Sequence, residues 1–66
     1  MIVASWHMTR RTAEARAAKL ERLKTAAVVD GSVDARRRLE QYRVPVTAPL
    51  TVRKEPHRFF KWAVGF

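Results

Sequence analysis

Val44-Pro45-Val46-Thr47-Ala48-Pro49-Leu50-Thr51-Val52 places five apolar side chains on alternate residues and both prolines on the other parity. In an extended chain, residues of one parity turn their N–H and C=O groups toward the same neighbour, and proline has no N–H to offer. The spacing therefore predicts pairing along one side only, the side of Val44, Val46, Ala48, Leu50 and Val52. A polyproline-like ribbon is the rival conformation, and it too would lie against a partner surface. No other stretch presents itself as the mate of this segment. The sequence thus predicts a chain completed by something else.

The flanking segments fit that expectation. Residues 1–11 read as an N-terminal arm in which Ile2, Ala4 and Trp6 alternate before the charge begins. Residues 12–43 read as a helical hairpin. Thr12 is taken as the first N-cap, followed by a run rich in Ala, Leu, Glu, Lys and Arg to about Val28. Asp30-Gly31 ends it, with Gly31 suited to a left-handed cap, and Ser32 caps a second helix that stops by Arg43 because Val44 precedes Pro45. Residues 44–56 form the extended, proline-containing segment. Residues 57–66, His57-Arg58-Phe59-Phe60-Lys61-Trp62-Ala63-Val64-Gly65-Phe66, form an aromatic docking segment. Read as a strand, this segment puts Phe60, Trp62, Val64 and Phe66 on one face; read as a helix, it groups Phe59, Trp62, Ala63 and Phe66, and so short a run does not decide.

The fold class read from this pattern is mainly α: a basic αα-hairpin with extended arms, short of an independent globular fold. In the first helix Ala13, Ala17, Leu20, Leu23 and Ala27 share an arc, with Arg16 and Lys24 inside it. The second helix offers Ala35, Leu39 and Tyr42. Leu20, Leu23, Leu39 and Tyr42 should hold the hairpin together. The hydrophobic share of 47% promises more core than there is, because ten of those residues are alanine. A 66-residue chain with so few large apolar side chains, and no cysteine for a disulfide, sits where a single core is marginal.

Fourteen Lys and Arg against six Asp and Glu give a net charge of +8, which favours a polyanionic partner. Arginine supplies ten of the fourteen cations and suits bidentate phosphate contacts. Polyanion contacts are assigned to Arg16, Lys19, Arg22, Arg36, Arg37 and Arg38 in the hairpin, and to Arg53, Lys54, Arg58 and Lys61 beyond it. These cations do not gather on one helix face, so a simple one-faced DNA reader is not what the hairpin describes. Asp34/Arg38 and Arg36/Glu40 are spaced as helix-supporting pairs. In the tail, cations interleave with Phe59, Phe60 and Trp62, a pattern that joins phosphate contacts to base stacking. The docking side chains are taken as Val44, Val46, Leu50, Val52, Phe59, Phe60, Trp62 and Phe66.

No catalytic, metal or cofactor site is read here. His7 and His57 stand fifty residues apart without cysteine, the two glycines make no phosphate-cradling loop, and Ser32 serves as a cap. The chain is read as a non-enzyme: an accessory structural subunit of a large assembly, a ribonucleoprotein or virus particle, met through its apolar tail and arginine-rich hairpin. A free-standing, dimeric nucleic-acid-binding regulator is the alternative, and attachment to an anionic membrane surface ranks below both. Partners are protein or nucleoprotein, with RNA or DNA phosphates, and no small-molecule substrate. Absence of cysteine, of a membrane span and of a secretory signal leads to a cytoplasmic expectation, or a particle assembled there. Met8-Thr9-Arg10-Arg11 itself reads like an ordinary protein start.

Overall fold

The computed structural model describes residues 2–66. Strand β1 (Val3–His7) leads into helix α1 (Arg10–Val28), helix α2 (Val33–Gln41), strand β2 (Thr51–Lys54) and strand β3 (Trp62–Gly65). The strands form one antiparallel sheet in the order β1-β3-β2, so the last strand is the central one. Helix α1 lies across all three strands, while α2 packs on α1 and on no strand. The expectation of a mainly α hairpin with free extended arms is thereby corrected to a mixed α/β fold. Both arms are strands of the chain's own sheet, paired with each other across almost the whole sequence.

Helix α1 starts a turn earlier than the capping signal at Thr12 suggested. Thr9 is the N-cap, extended at φ −127° and ψ 154°, and its hydroxyl accepts from the Thr12 N–H at 3.3 Å. Threonines at both positions offer the same chemistry, and the strand ending at His7 leaves Thr9 in the extended conformation that a cap requires. Gly31, at φ +64°, turns the chain so that the Ser32 N–H reaches the Ala26 carbonyl at 3.0 Å. Ser32 then caps α2, accepting from the Ala35 N–H at 3.2 Å.

The end of α2 is a Schellman motif built on a non-glycine residue. Arg43 takes φ 57°; its N–H bonds the Glu40 carbonyl at 3.0 Å, and the Val44 N–H bonds the Leu39 carbonyl at 3.0 Å. The motif's usual hydrophobic clasp is present as well, because Leu39 and Val44 both belong to the core. This clasp is where the alternating segment joins the interior.

The core comprises Ala13, Leu20, Ala27, Ala35, Leu39, Val44 and Val64. Ala4, Ala17, Leu23, Ala26, Tyr42, Val46, Leu50, Val52, Trp62 and Phe66 pack around it. Alanines along α1 let the sheet approach closely, and the few large side chains are concentrated where both layers meet. Val28, Val29 and Val33 contribute nothing to this interior: they are exposed at the turn between the helices.

Residues 44–52 keep the predicted side-chain alternation but not the predicted pairing. Val44 is buried, Val46, Ala48, Leu50 and Val52 are half-buried, and Pro45, Thr47 and Pro49 face solvent. Only Thr51–Lys54 is a strand. Its pairing edge is that of the prolines' parity, as the N–H of Glu55 bonding the Lys61 carbonyl at 3.0 Å shows. The ladder begins two residues past Pro49, where that parity again carries an N–H.

Arg16 and Lys24, the cations inside the apolar arc of α1, reach partners far along the chain. Arg16 donates to the Tyr42 hydroxyl and lies over its ring, 5.1 Å from the centroid. Lys24 donates to the Ala48 carbonyl and pairs with Glu21 at 3.3 Å, leaving its side chain 13% exposed. Both tie the connecting segment to α1. A long aliphatic stem with a partnered head packs in this arc much as an apolar residue does.

Candidate nucleic-acid interface

The loop of residues 55–61 joins β2 to β3 and gathers aromatic and cationic groups. Pro56 excludes helix at Glu55, and the Glu55–Lys61 backbone bond closes the loop. Inside it, His57 Nδ1 accepts from the N–H groups of Phe59 at 3.1 Å and Phe60 at 3.2 Å. Accepting at Nδ1 fixes the neutral ring as the Nε2–H tautomer. The ring also sits 4.4 Å from Trp6 and 5.4 Å from Phe60. A side chain from the other end of the sequence therefore anchors the loop.

What the anchored loop presents is Phe59. It is 68% exposed, and the Arg58 guanidinium lies 5.4 Å from its ring centroid. Lys54 and Lys61 are exposed on either side of the loop and line a cleft together with Glu55, Pro56, His57 and Phe60. An exposed aromatic ring beside several cations can stack on a base while the cations meet its phosphates.

The side chains taken from sequence as docking groups fall into two sets. Val44, Val46, Leu50, Val52, Trp62 and Phe66 belong to the chain's own core or pack against it, so they fill an internal need. Phe60 is half-buried in the loop, and Phe59 faces outward. Trp62 and Val64 do share the helix-facing side with Phe66, as the strand reading of this segment has it, but Phe60 leaves that row for His57.

The cations assigned to polyanion contact are spread over the surface. Arg16 is occupied by Tyr42; Lys19 and Arg22 are exposed on α1, and Arg36, Arg37 and Arg38 are exposed on α2. Acid partners are found for Arg38, with Asp34 at 3.3 Å, and for Arg53, with Glu55 at 3.9 Å. Among the described residues Arg36 and Glu40 do not form an ion pair, although their spacing allows one. Lys19, Arg22, Arg36, Arg37, Lys54, Arg58 and Lys61 have no acid partner there.

Three functional candidates escaped the sequence reading. Trp6 and His57 gain their importance only from contact with each other. His7 lines a second cleft with Thr12, Ala15, Arg16 and Lys19, between β1 and α1. Its pKa lies below the usual 6.5, first through burial and then through the nearby Arg16 charge. Among the described residues no cluster of three or more His, Cys, Asp or Glu is placed to hold a metal ion, and no helix is long and apolar enough to cross a membrane.

No protein-family model, curated protein or solved structure matches this chain.

Proposed function

We propose that this protein is a small, self-folding, non-enzymatic nucleic-acid-binding protein that engages single strands through the loop of residues 55–61. The observation that carries this reading is Phe59. A large aromatic ring stands exposed on a loop pinned by the Trp6–His57 contact, with Arg58 over it, and Lys54 and Lys61 line a cleft of the same loop with Phe60. A ring held outward beside a guanidinium offers a face on which a base can stack. The net charge of +8 supplies the long-range attraction. Action in the cytoplasm is part of this proposal.

The test is binding of fluorescent single-stranded oligonucleotides across a salt series. Affinity should fall steeply as salt rises. Phe59→Ala should weaken binding by about 1–3 kcal/mol, the range for one base–aromatic stack, with the salt slope unchanged. A wild-type chain that ignores oligonucleotides even at low salt would end this reading.

A second reading, as an accessory subunit of a ribonucleoprotein or virus particle, draws on a different observation. Among the described residues, cations without an acid partner lie on α1, on α2 and on the loop of residues 55–61, and Val28, Val29 and Val33 stand exposed together at the helical turn. A subunit surrounded by phosphate and protein has use for both. It should remain with its assembly at salt concentrations that strip a simple binder from bare nucleic acid.

A further inference from the structure

We propose that the cleft between the end of β1 and the first half of α1 is a phosphate-binding site, with Lys19 and Arg16 as its cations and His7 on its wall. The cleft measures ≈ 290 Å³ and is lined by His7, Thr12, Ala15, Arg16 and Lys19. It opens to solvent, so a phosphate group can enter it with part of its hydration shell retained. Two of the lining side chains are cations, one is an imidazole, and no carboxylate is among them.

The polar groups already in use narrow the assignment. The Thr12 hydroxyl donates to the Thr9 carbonyl at 3.0 Å, and Arg16 is shared with Tyr42. Lys19 is exposed and has no ion-pair or hydrogen-bond partner among the described residues. Ser5 Oγ bonds His7 Nε2 at 2.8 Å and so orients the ring from the β1 side. Among the described residues Lys19 is therefore the free cation of the cleft and Arg16 the fixed one.

This inference rests on the nucleic-acid reading and extends it. The cleft and the aromatic loop share one end of the sheet: His7 is in register with Trp62, and the Lys61 N–H bonds the His7 carbonyl at 3.2 Å. Trp6 and His7 are neighbours on a strand and point to opposite faces. Trp6 supports the loop on one face, while His7 looks toward α1 on the other. A strand stacked on Phe59 and wrapping the end of β1 would bring a backbone phosphate to Lys19.

The experiment is an NMR titration of the full chain with inorganic phosphate at constant ionic strength, following the His7 and His57 rings. The His7 resonances should shift saturably, and the midpoint of the His7 titration should move upward, because a bound anion offsets the Arg16 charge. Lys19→Ala should weaken phosphate binding about fivefold. A His7 response equal to that produced by chloride, or one that Lys19→Ala does not alter, overturns the site.

A parallel titration with a single-stranded oligonucleotide separates the two ideas. Binding that needs Phe59 and ignores Lys19 overturns the cleft and leaves the loop reading standing. Saturable phosphate binding by a chain that takes no oligonucleotide supports the cleft and overturns the nucleic-acid function. Binding to anionic lipid vesicles in place of oligonucleotides, lost with Lys19→Ala, overturns the assignment to a nucleic-acid phosphate.

Discussion

The rings of Trp6 and His57 meet with their centroids 4.4 Å apart, tilted by 39°. This contact joins the first strand to the loop before the last strand, and through His57 Nδ1 it reaches the backbone of Phe59 and Phe60. Trp6→Ala should cost about 1–3 kcal/mol, the loss of a half-buried aromatic surface and one ring pair. Urea denaturation measures the cost. His57→Ala should act mainly on the loop, raising amide hydrogen exchange at Phe59 and Phe60 with a smaller loss of global stability. Equal and large global losses from both substitutions would show that the contact supports the whole fold and not the loop.

Beginning the chain at Met8 removes β1. Strand β3 would then lose its partner, together with the two reciprocal backbone bonds of 2.7 and 3.0 Å by which Ile2 and Phe66 extend that pairing, and Trp62 and Val64 would lie next to an open edge. Such a chain should fail to unfold cooperatively and should tend to associate through that edge. Circular dichroism with sedimentation tests this. A monomer that starts at Met8 and melts sharply would show that β1 is dispensable.

Leu20 and Leu39 are the two largest fully buried aliphatic side chains and lie in one cluster. Leu20→Ala and Leu39→Ala should each cost about 2–5 kcal/mol. A domain of this size has only about 3–10 kcal/mol in total, so the double variant should be unfolded at room temperature. Because the two sites share neighbours, their effects in a stabilised background should not simply add.

The same two leucines were legible in the sequence, and the reason is instructive. Helical periodicity is local, so Ala13, Leu20 and Ala27 on α1 and Ala35 and Leu39 on α2 could be placed on the buried faces from spacing alone. The alternation from Val44 to Val52 likewise told which side chains face inward. Neither pattern names the surface that receives them. The sheet arises from pairing Val3–His7 with Trp62–Gly65, two short runs at opposite ends, each ambiguous by itself. The candidate site inherits that difficulty. Phe59, Arg58 and the flanking lysines were visible as a cluster, whereas Trp6 and His7 joined it only through the long-range ladder.

Two backbone positions with positive φ make opposite predictions. Gly31, at φ +64°, has no neighbouring atom near where a Cβ would stand, so Gly31→Ala should cost about 1 kcal/mol through backbone conformation alone. Arg43 already bears that strain at φ 57°, and Arg43→Gly should stabilise the chain by about 0.5–1 kcal/mol. Thermal melts of the two variants should move in opposite directions. An Arg43→Gly chain less stable than the parent would mean that the arginine side chain offsets the strain through contacts of its own.

His7 predicts how stability changes with acid. Its pKa in the folded chain is lowered from 6.5 by burial and, to a lesser degree, by Arg16. Below pH 6.5 the unfolded chain takes up a proton that the folded chain still refuses, so protons favour unfolding. The contribution of this residue is complete above 6.5, and it is lost progressively as the pH falls from there toward the lower folded value. His7→Gln keeps a polar side chain facing Ser5 and removes the titration, so its stability should vary less with pH in that window than the parent's. Inorganic phosphate should flatten the parent's curve as well, because an anion beside Arg16 and Lys19 favours the protonated ring. Chemical denaturation at a series of pH values, with and without phosphate, reads both effects. A parent curve as flat as that of His7→Gln throughout the window would show that the ring protonates equally well in the folded and unfolded chains.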